Sequence, residues 1–233
     1  MKVSIAVGSW GLKRGEEASI NGQMAVLVRE EIKTLVRKGE LGFTPELDEF
    51  QLQGHSVDLR LGWTFMVPRL WEIKKEGRVA LTSDKFGKVK NGFDSIILKK
   101  GQYFEILPEE YVVVLTMEKI KMPGSVMGVL YPRSSVNRRG LSLDLTGIVD
   151  AGYEGNLMIP VRNNTRTQVI RVYPGERFCQ IVFYPLSEET VMEKSRYHGK
   201  NITDGVLPER SQEEIEMIKK GEIGKLKVKF KLK

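Results

Sequence analysis

Beyond residue 39 the chain breaks into short runs of β-branched and aromatic residues, each closed off by Gly, Pro, Asn or Asp. This punctuation restricts the fold more than any other feature. Residues 56–61, 64–67, 111–116, 168–172 and 178–183 are the clearest runs. Many short strands with turn signals between them specify antiparallel pairing in a barrel or jelly roll, whereas a βαβ fold needs helical crossovers between its strands. No glycine-rich phosphate loop of the Walker or dinucleotide type is present, which argues against the parallel nucleotide-binding folds as well. The expected class is all-β, a distorted barrel or jelly roll with a few short helices.

Both ends carry additions to this body. Over residues 23–37, Ala25, Val28, Ile32 and Leu35 recur at helical spacing with charges between them, and Gly39 is a natural stop, so an amphipathic helix is expected there. Past Pro208, the run Ser211-Gln212-Glu213-Glu214 fits a capping box, and a short helix should reach Lys220 before Gly221. The last nine residues, KLKVKFKLK, alternate strictly. As a strand they would set Leu226, Val228, Phe230 and Leu232 on one face and lysines on the other, a pattern suited to docking on a sheet edge. The reading is a single domain over 1–233, with a core of about 24–210, an N-terminal extension (1–23) whose chemistry is not legible, and a C-terminal helix–strand extension (211–233).

Charge and cysteine usage narrow the function classes. The net charge of +7 suggests nucleic acid, but Lys225, Lys227, Lys229, Lys231 and Lys233 supply five of the seven charges, so the excess belongs to the tail and nucleic acid is not the expected partner. The lone Cys179 lies in an apolar run and excludes an intrachain disulfide framework or a Cys-based zinc site. No apolar run is long enough to span a bilayer, and MKVSIAVGSWGLKRG lacks the layout of a secretory signal, so a cytoplasmic location is expected.

The chemistry concentrates between residues 131 and 163. Arg133, Ser134 and Ser135 are followed by Arg138, Arg139 and Gly140, and then by Gly147-Ile148-Val149-Asp150-Ala151-Gly152-Tyr153-Glu154-Gly155. Guanidinium forks match phosphate oxygens, hydroxyls add neutral donors, and a carboxylate and an aromatic ring complete what a phosphorylated ring compound needs.

In this order these residues resemble the trimeric dUTPase and dCTP deaminase superfamily. Four pieces carry the resemblance: GHSVDLRLG at 54–62, PRSS at 132–135 with Arg138 beyond it, GIVDAGYEG at 147–155, and PGERFCQ at 174–180. A weaker fifth, RYHGK at 196–200, stands where family members carry a mobile closing segment. The resemblance implies a distorted β-barrel that forms homotrimers, with active sites at the subunit interfaces and magnesium as cofactor. In the dUTPase reading, Asp150 is the general base that takes a proton from water attacking the α-phosphorus of dUTP, giving dUMP and pyrophosphate. Tyr153 packs on the deoxyribose. Arg133, Ser134 and Gln180 serve the phosphates, Ser135 and Arg138 are further substrate-binding residues, Tyr197 and Lys200 belong to the closing segment, and Asp58 lies near the metal–phosphate region through water.

The resemblance also sets the alternative. Superfamily deaminases use a glutamate shortly after the third motif, and counting from Gly155 its place falls on Pro160. The spacing from Arg133 to Asp150 is also one residue shorter than in typical deaminases. Both departures favour a dUTPase. On the other side, Ser135 stands where dUTPases usually have glycine, the DLRLG and RSS wording is deaminase-like, and Asp144 lies where base-recognising groups occur. A carboxylate there would accept from a cytosine amino group. A dCTP deaminase, alone or coupled to hydrolysis, is therefore the alternative, and a non-catalytic deoxynucleotide-binding trimer a third reading.

Overall fold

The computed structural model of the chain describes residues 25–81, 92–144, 147–190 and 211–231. Most of the body is one antiparallel sheet. Its path runs β10 (Ile148–Val149), β8 (Val126–Pro132), β13 (Arg177–Pro185), β2 (Val57–Pro68), β7 (Tyr111–Lys121), β11 (Glu154–Asn163) and β9 (Leu141–Leu143), with β1 (Gly42–Thr44) on β7 and β5 (Phe93–Ile97) on β2. Two ribbons complete it, β3 (Trp71–Lys74) with β4 (Gly77–Ala80) and β6 (Phe104–Ile106) with β12 (Ile170–Val172).

Closure follows from connectivity. β9 and β10 stand at opposite ends of the path, yet only residues 144–147 separate them, a reach of roughly 18 Å at full extension. The sheet must therefore curl until its ends approach each other. Its concave face is lined by the inward set of each strand, including Val57, Leu59, Leu61 and Phe65 of β2, Val112, Val114 and Ile120 of β7, and Cys179, Ile181 and Phe183 of β13. The rings of Phe65 and Phe104 stack at 4.5 Å. Cys179 is a core residue, as its apolar run suggested, and burial pushes its thiol pKa up. The all-β expectation holds.

The strand runs at 56–61 and 64–67 form one long strand, β2, which pairs irregularly with β7 between Leu61 and Phe65. Gly62 sits in that irregular stretch, and a Cβ on it would lie 2.9 Å from the Leu115 carbonyl oxygen and 3.1 Å from that of Thr116. Because the obstacle is backbone, Gly62→Ala is expected to cost about 1–3 kcal/mol, read as a lower urea midpoint at unchanged slope.

The first helix, α1 (Arg29–Arg37), is shorter than the expected 23–37. The Leu27 N–H is committed to the Phe183 carbonyl of β13 and the Arg29 N–H to that of Gly54, which holds the preceding backbone extended. Val28 is the N-cap, and Glu31 reaches back to its N–H at 2.8 Å. Ile32 is fully buried, and Gly39 supplies the positive φ that ends the helix. The short turn of helix α2 (Ser134–Asn137) follows β8, and α3 (Gln212–Lys219) begins where the capping box placed it, with the Ser211 hydroxyl accepting from the Glu214 N–H at 3.1 Å.

The tail corrects the sequence reading. Of the residues expected to form an edge strand, those at 225–229 lie in helix α4 (Ile223–Lys229), while Leu232 and Lys233 lie outside the described residues. Lysine and leucine are good helix formers, Lys225 pairs with Glu222 one turn back at 2.7 Å, and Lys229 pairs with Glu213 of α3. Period-two alternation selects a strand only where a sheet edge is offered, and α4 pairs with none. No helix among the described residues is long and apolar enough to cross a membrane.

Candidate functional site

Strand register assembles the first part of the site. Gln180 of β13 stands opposite Asp58 of β2 on one side and Tyr131 of β8 on the other. The Asp58 side chain is only 3% exposed; its Oδ2 accepts a hydrogen bond from Arg177 Nη1 at 3.2 Å and forms an ion pair with Arg133 Nε, also at 3.2 Å. A buried carboxylate is tolerated only when paired. Burial raises the Asp58 pKa above the ordinary value, although Arg133 and then Arg177 oppose the shift. Arg133 occupies the N-cap position of α2 and also donates to the Arg177 carbonyl at 3.0 Å. Ser134 and Ser135 form the exposed first turn of α2, and Arg138 is its exposed C-cap. The cluster thus presents two guanidinium groups and two hydroxyls around one anchored acid.

A second, deeper acid supports it. Glu118 of β7 is 1% exposed, and burial pushes its pKa up. Its Oε1 accepts from Gln51 Nε2 at 2.7 Å and its Oε2 from the Arg60 N–H at 3.0 Å, while the same Gln51 amide donates to the Asp58 carbonyl at 2.9 Å. The Arg60 side chain is fixed by Asp48, at 2.6 Å, and by the Gly175 carbonyl, also at 2.6 Å. Sequence reasoning passed over Glu118, Gln51 and Arg177. A signal existed for the first, because strict alternation along β7 puts Glu118 in the inward set with Val112, Val114, Thr116 and Ile120.

Asp58 was expected beside a metal, through water. The geometry instead gives its Oδ2 to two arginines, which fits an anchor for guanidinium groups better than a metal ligand. Among the described residues no group of three His, Cys, Asp or Glu side chains could hold a metal ion.

The third-motif residues lie elsewhere. Asp150 follows β10 in an exposed turn, and no hydrogen bond or ion pair with another described residue engages its carboxylate. Its carbonyl accepts from the Tyr153 N–H at 3.1 Å, and the Gly152 N–H reaches the Pro123 carbonyl at 3.1 Å. The half-buried Tyr153 packs on the core and donates its hydroxyl to the Asn156 carbonyl at 2.8 Å, and burial pushes its pKa up to about 12. Gly155 is needed beneath that ring, since a Cβ would come within 2.8 Å of the hydroxyl oxygen. Val149 pairs with Gly128, whereas Arg133 lies beyond the far end of the same strand, β8. Continued by one residue, the antiparallel register sets Asp150 level with Met127, so six residues at about 3.3 Å each put it roughly 20 Å along the strand direction from Arg133 within one subunit.

Asp144 occupies a third position. β9 pairs with β11 through Leu143↔Val161, and the Asp144 N–H continues that register by donating to the Pro160 carbonyl at 2.9 Å. Burial, with a smaller contribution from the Asp144 charge, raises the pKa of Tyr111. α2 packs on β9, the strand that immediately precedes Asp144. Tyr197 and Lys200 lie outside the described residues.

Comparison with known proteins adds a family. The dCTP deaminase-like family matches residues 26–186. A protein named "dCTP deaminase, dUMP-forming" from Persephonella marina is 33% identical over 176 residues, 75% of this chain and 90% of the relative. Another of the same name from Aquifex aeolicus is 33% identical over 187 residues, 79% of this chain and 94% of the relative. Among solved structures, 2'-deoxycytidine 5'-triphosphate deaminase from Agrobacterium tumefaciens superposes with a TM-score of 0.53 at 23% identity, over 70% of this chain and 48% of that one, a likeness of fold.

Proposed function

The chain belongs to the dCTP deaminase-like family, and we propose on that basis that it converts a pyrimidine deoxynucleoside triphosphate to dUMP. The observation that carries this reading is the match over most of the chain to relatives named for forming dUMP from dCTP. These names back the dCTP alternative better than hydrolysis of dUTP alone. Forming dUMP from dCTP requires two additions of water, one at the base and one at phosphorus.

For the phosphate step the chain's own residues suffice to outline the chemistry. Asp150 takes a proton from a water molecule, the water oxygen attacks the α-phosphorus, and the bond to the bridging oxygen breaks to release pyrophosphate. Arg133 and Arg177, held by Asp58, stabilise the charge that gathers on the departing oxygens, and Ser134, Ser135, Arg138 and Gln180 orient the triphosphate. Tyr153 lies beside the sugar. Magnesium fits as a companion of the substrate phosphates, since that ion takes few protein carboxylates.

The separation of Asp150 from the Arg133 cluster favours a site shared between copies. In a homotrimer, Asp150 and Tyr153 of one subunit would meet the guanidinium cluster of the next. A cytoplasmic place suits this chemistry. The test offers dUTP and dCTP separately to the purified protein with magnesium. The expected result is dUMP and pyrophosphate from both and ammonia from dCTP. Nucleotide binding with no product from either would replace the reading with that of a binding trimer.

A further inference from the structure

The base half of that reaction requires a group that moves a proton beside cytosine C4. Pro160, at the place the resemblance gives to a glutamate, has no such group. Within β11, Leu157, Ile159 and Val161 are buried, so Met158, Pro160 and Arg162 belong to the outer face. Pro160 faces Val113 of β7 on one side. On the other, the β9 register continued by one residue brings Asp144 opposite it, and the 2.9 Å bond from the Asp144 N–H to the Pro160 carbonyl fixes that pairing. Proline has no N–H to return the bond, so the ladder ends there.

Residues directly opposite on neighbouring strands share a face, with Cβ atoms about 4.5–5.5 Å apart. A carboxylate on residue 144 therefore projects from the same face as one on residue 160 would, one strand over. Asp144 is exposed, and no hydrogen bond or ion pair with another described residue engages its carboxylate. The half-exposed Tyr111 lies close enough to feel its charge, and α2, with Ser134 and Ser135, packs on the strand that ends at Asp144. An acid with no partner among the described residues, near the Tyr111 ring and next to the strand on which α2 packs, is placed for work on a ligand.

Resting on the reading above, we infer that Asp144 is the deaminating carboxylate of this chain, transferred across the strand pair from position 160. Water adds across the C4–N3 double bond of cytosine, Asp144 taking one of its protons and passing it to N3. Asp144 then takes the proton of the new C4 hydroxyl and delivers it to the amino nitrogen, the C4–N bond to that nitrogen breaks, and the C4 oxygen becomes the uracil carbonyl. The products are the uracil nucleotide and ammonia, with no oxidant or reductant required.

The experiment compares wild type, Asp144→Asn, Asp144→Glu and the double variant Asp144→Asn/Pro160→Glu, each measured for ammonia from dCTP and pyrophosphate from dUTP. Asp144→Asn should lower the ratio of ammonia to pyrophosphate by about 10²–10⁴-fold, the contribution of a positioned acid–base group. Asp144→Glu should keep measurable ammonia release, and the double variant should regain it by returning the acid to residue 160. An unchanged ratio in Asp144→Asn overturns the assignment, as does a wild type that releases pyrophosphate from dUTP but no ammonia from dCTP. Turnover of neither nucleotide by the wild type overturns the family-based reading and the assignment with it.

Discussion

Asp150→Asn is expected to lower pyrophosphate release from dUTP by about 10²–10⁴-fold, the usual contribution of a general base. Stability should hardly move, because the side chain is exposed, is engaged by no hydrogen bond or ion pair with another described residue, and is replaced by one of the same shape, so the change stays within about 0.5 kcal/mol. The turn that presents it is held by backbone, through the bond from the Tyr153 N–H to the Asp150 carbonyl and that from the Gly152 N–H to Pro123, and neither depends on the carboxylate. Steady-state pyrophosphate release and a thermal melt, measured on the same preparation, separate the two effects. Full turnover in Asp150→Asn would remove this residue from the chemistry. An equal loss of activity and of melting temperature would make it a structural residue.

The barrel was legible in the sequence because its signals are local. The β-branched and aromatic runs at 111–116 and 178–183 and the glycine stop at Gly39 each depend on a few neighbouring residues. What the sequence hid depends on distant partners. The tail KLKVKFKLK has the period of a strand, but period alone supplies no edge to pair with, and local lysine–glutamate pairs with intrinsic propensity make a helix. Asp58 reads as a polar residue in a family motif, and only the fold shows Arg133 and Arg177 meeting on one of its oxygens from sites 75 and 119 positions away. Glu118 was readable in principle from alternation along β7, but its partner Gln51 lies 67 positions earlier in an irregular stretch. Pro160 was visible as a departure, whereas its pairing with Asp144 needed the β9–β11 register.

The division of the site yields the second large effect. Arg133→Gln removes one guanidinium from the phosphate cluster while Arg177 still pairs with Asp58, so the buried acid keeps a partner. Hydrogen bonds to charged groups are worth about 1.5–3 kcal/mol, which predicts a loss of roughly 10–100-fold in turnover. Now let this variant and Asp150→Asn be produced in one cell so that subunits mix. If every site takes its acid from one subunit and its arginine from the next, random mixing at equal amounts leaves both groups intact at about one site in four, and activity should return to about a quarter of wild type. If each site is built within one subunit, every site carries one defect and the mixture shows no more than the average of the two variants. That second result would require the roughly 20 Å along β8 to be bridged within one chain, which strands this extended do not allow without unpairing β10. Complementation thus tests the shared site directly, independent of which base the nucleotide carries.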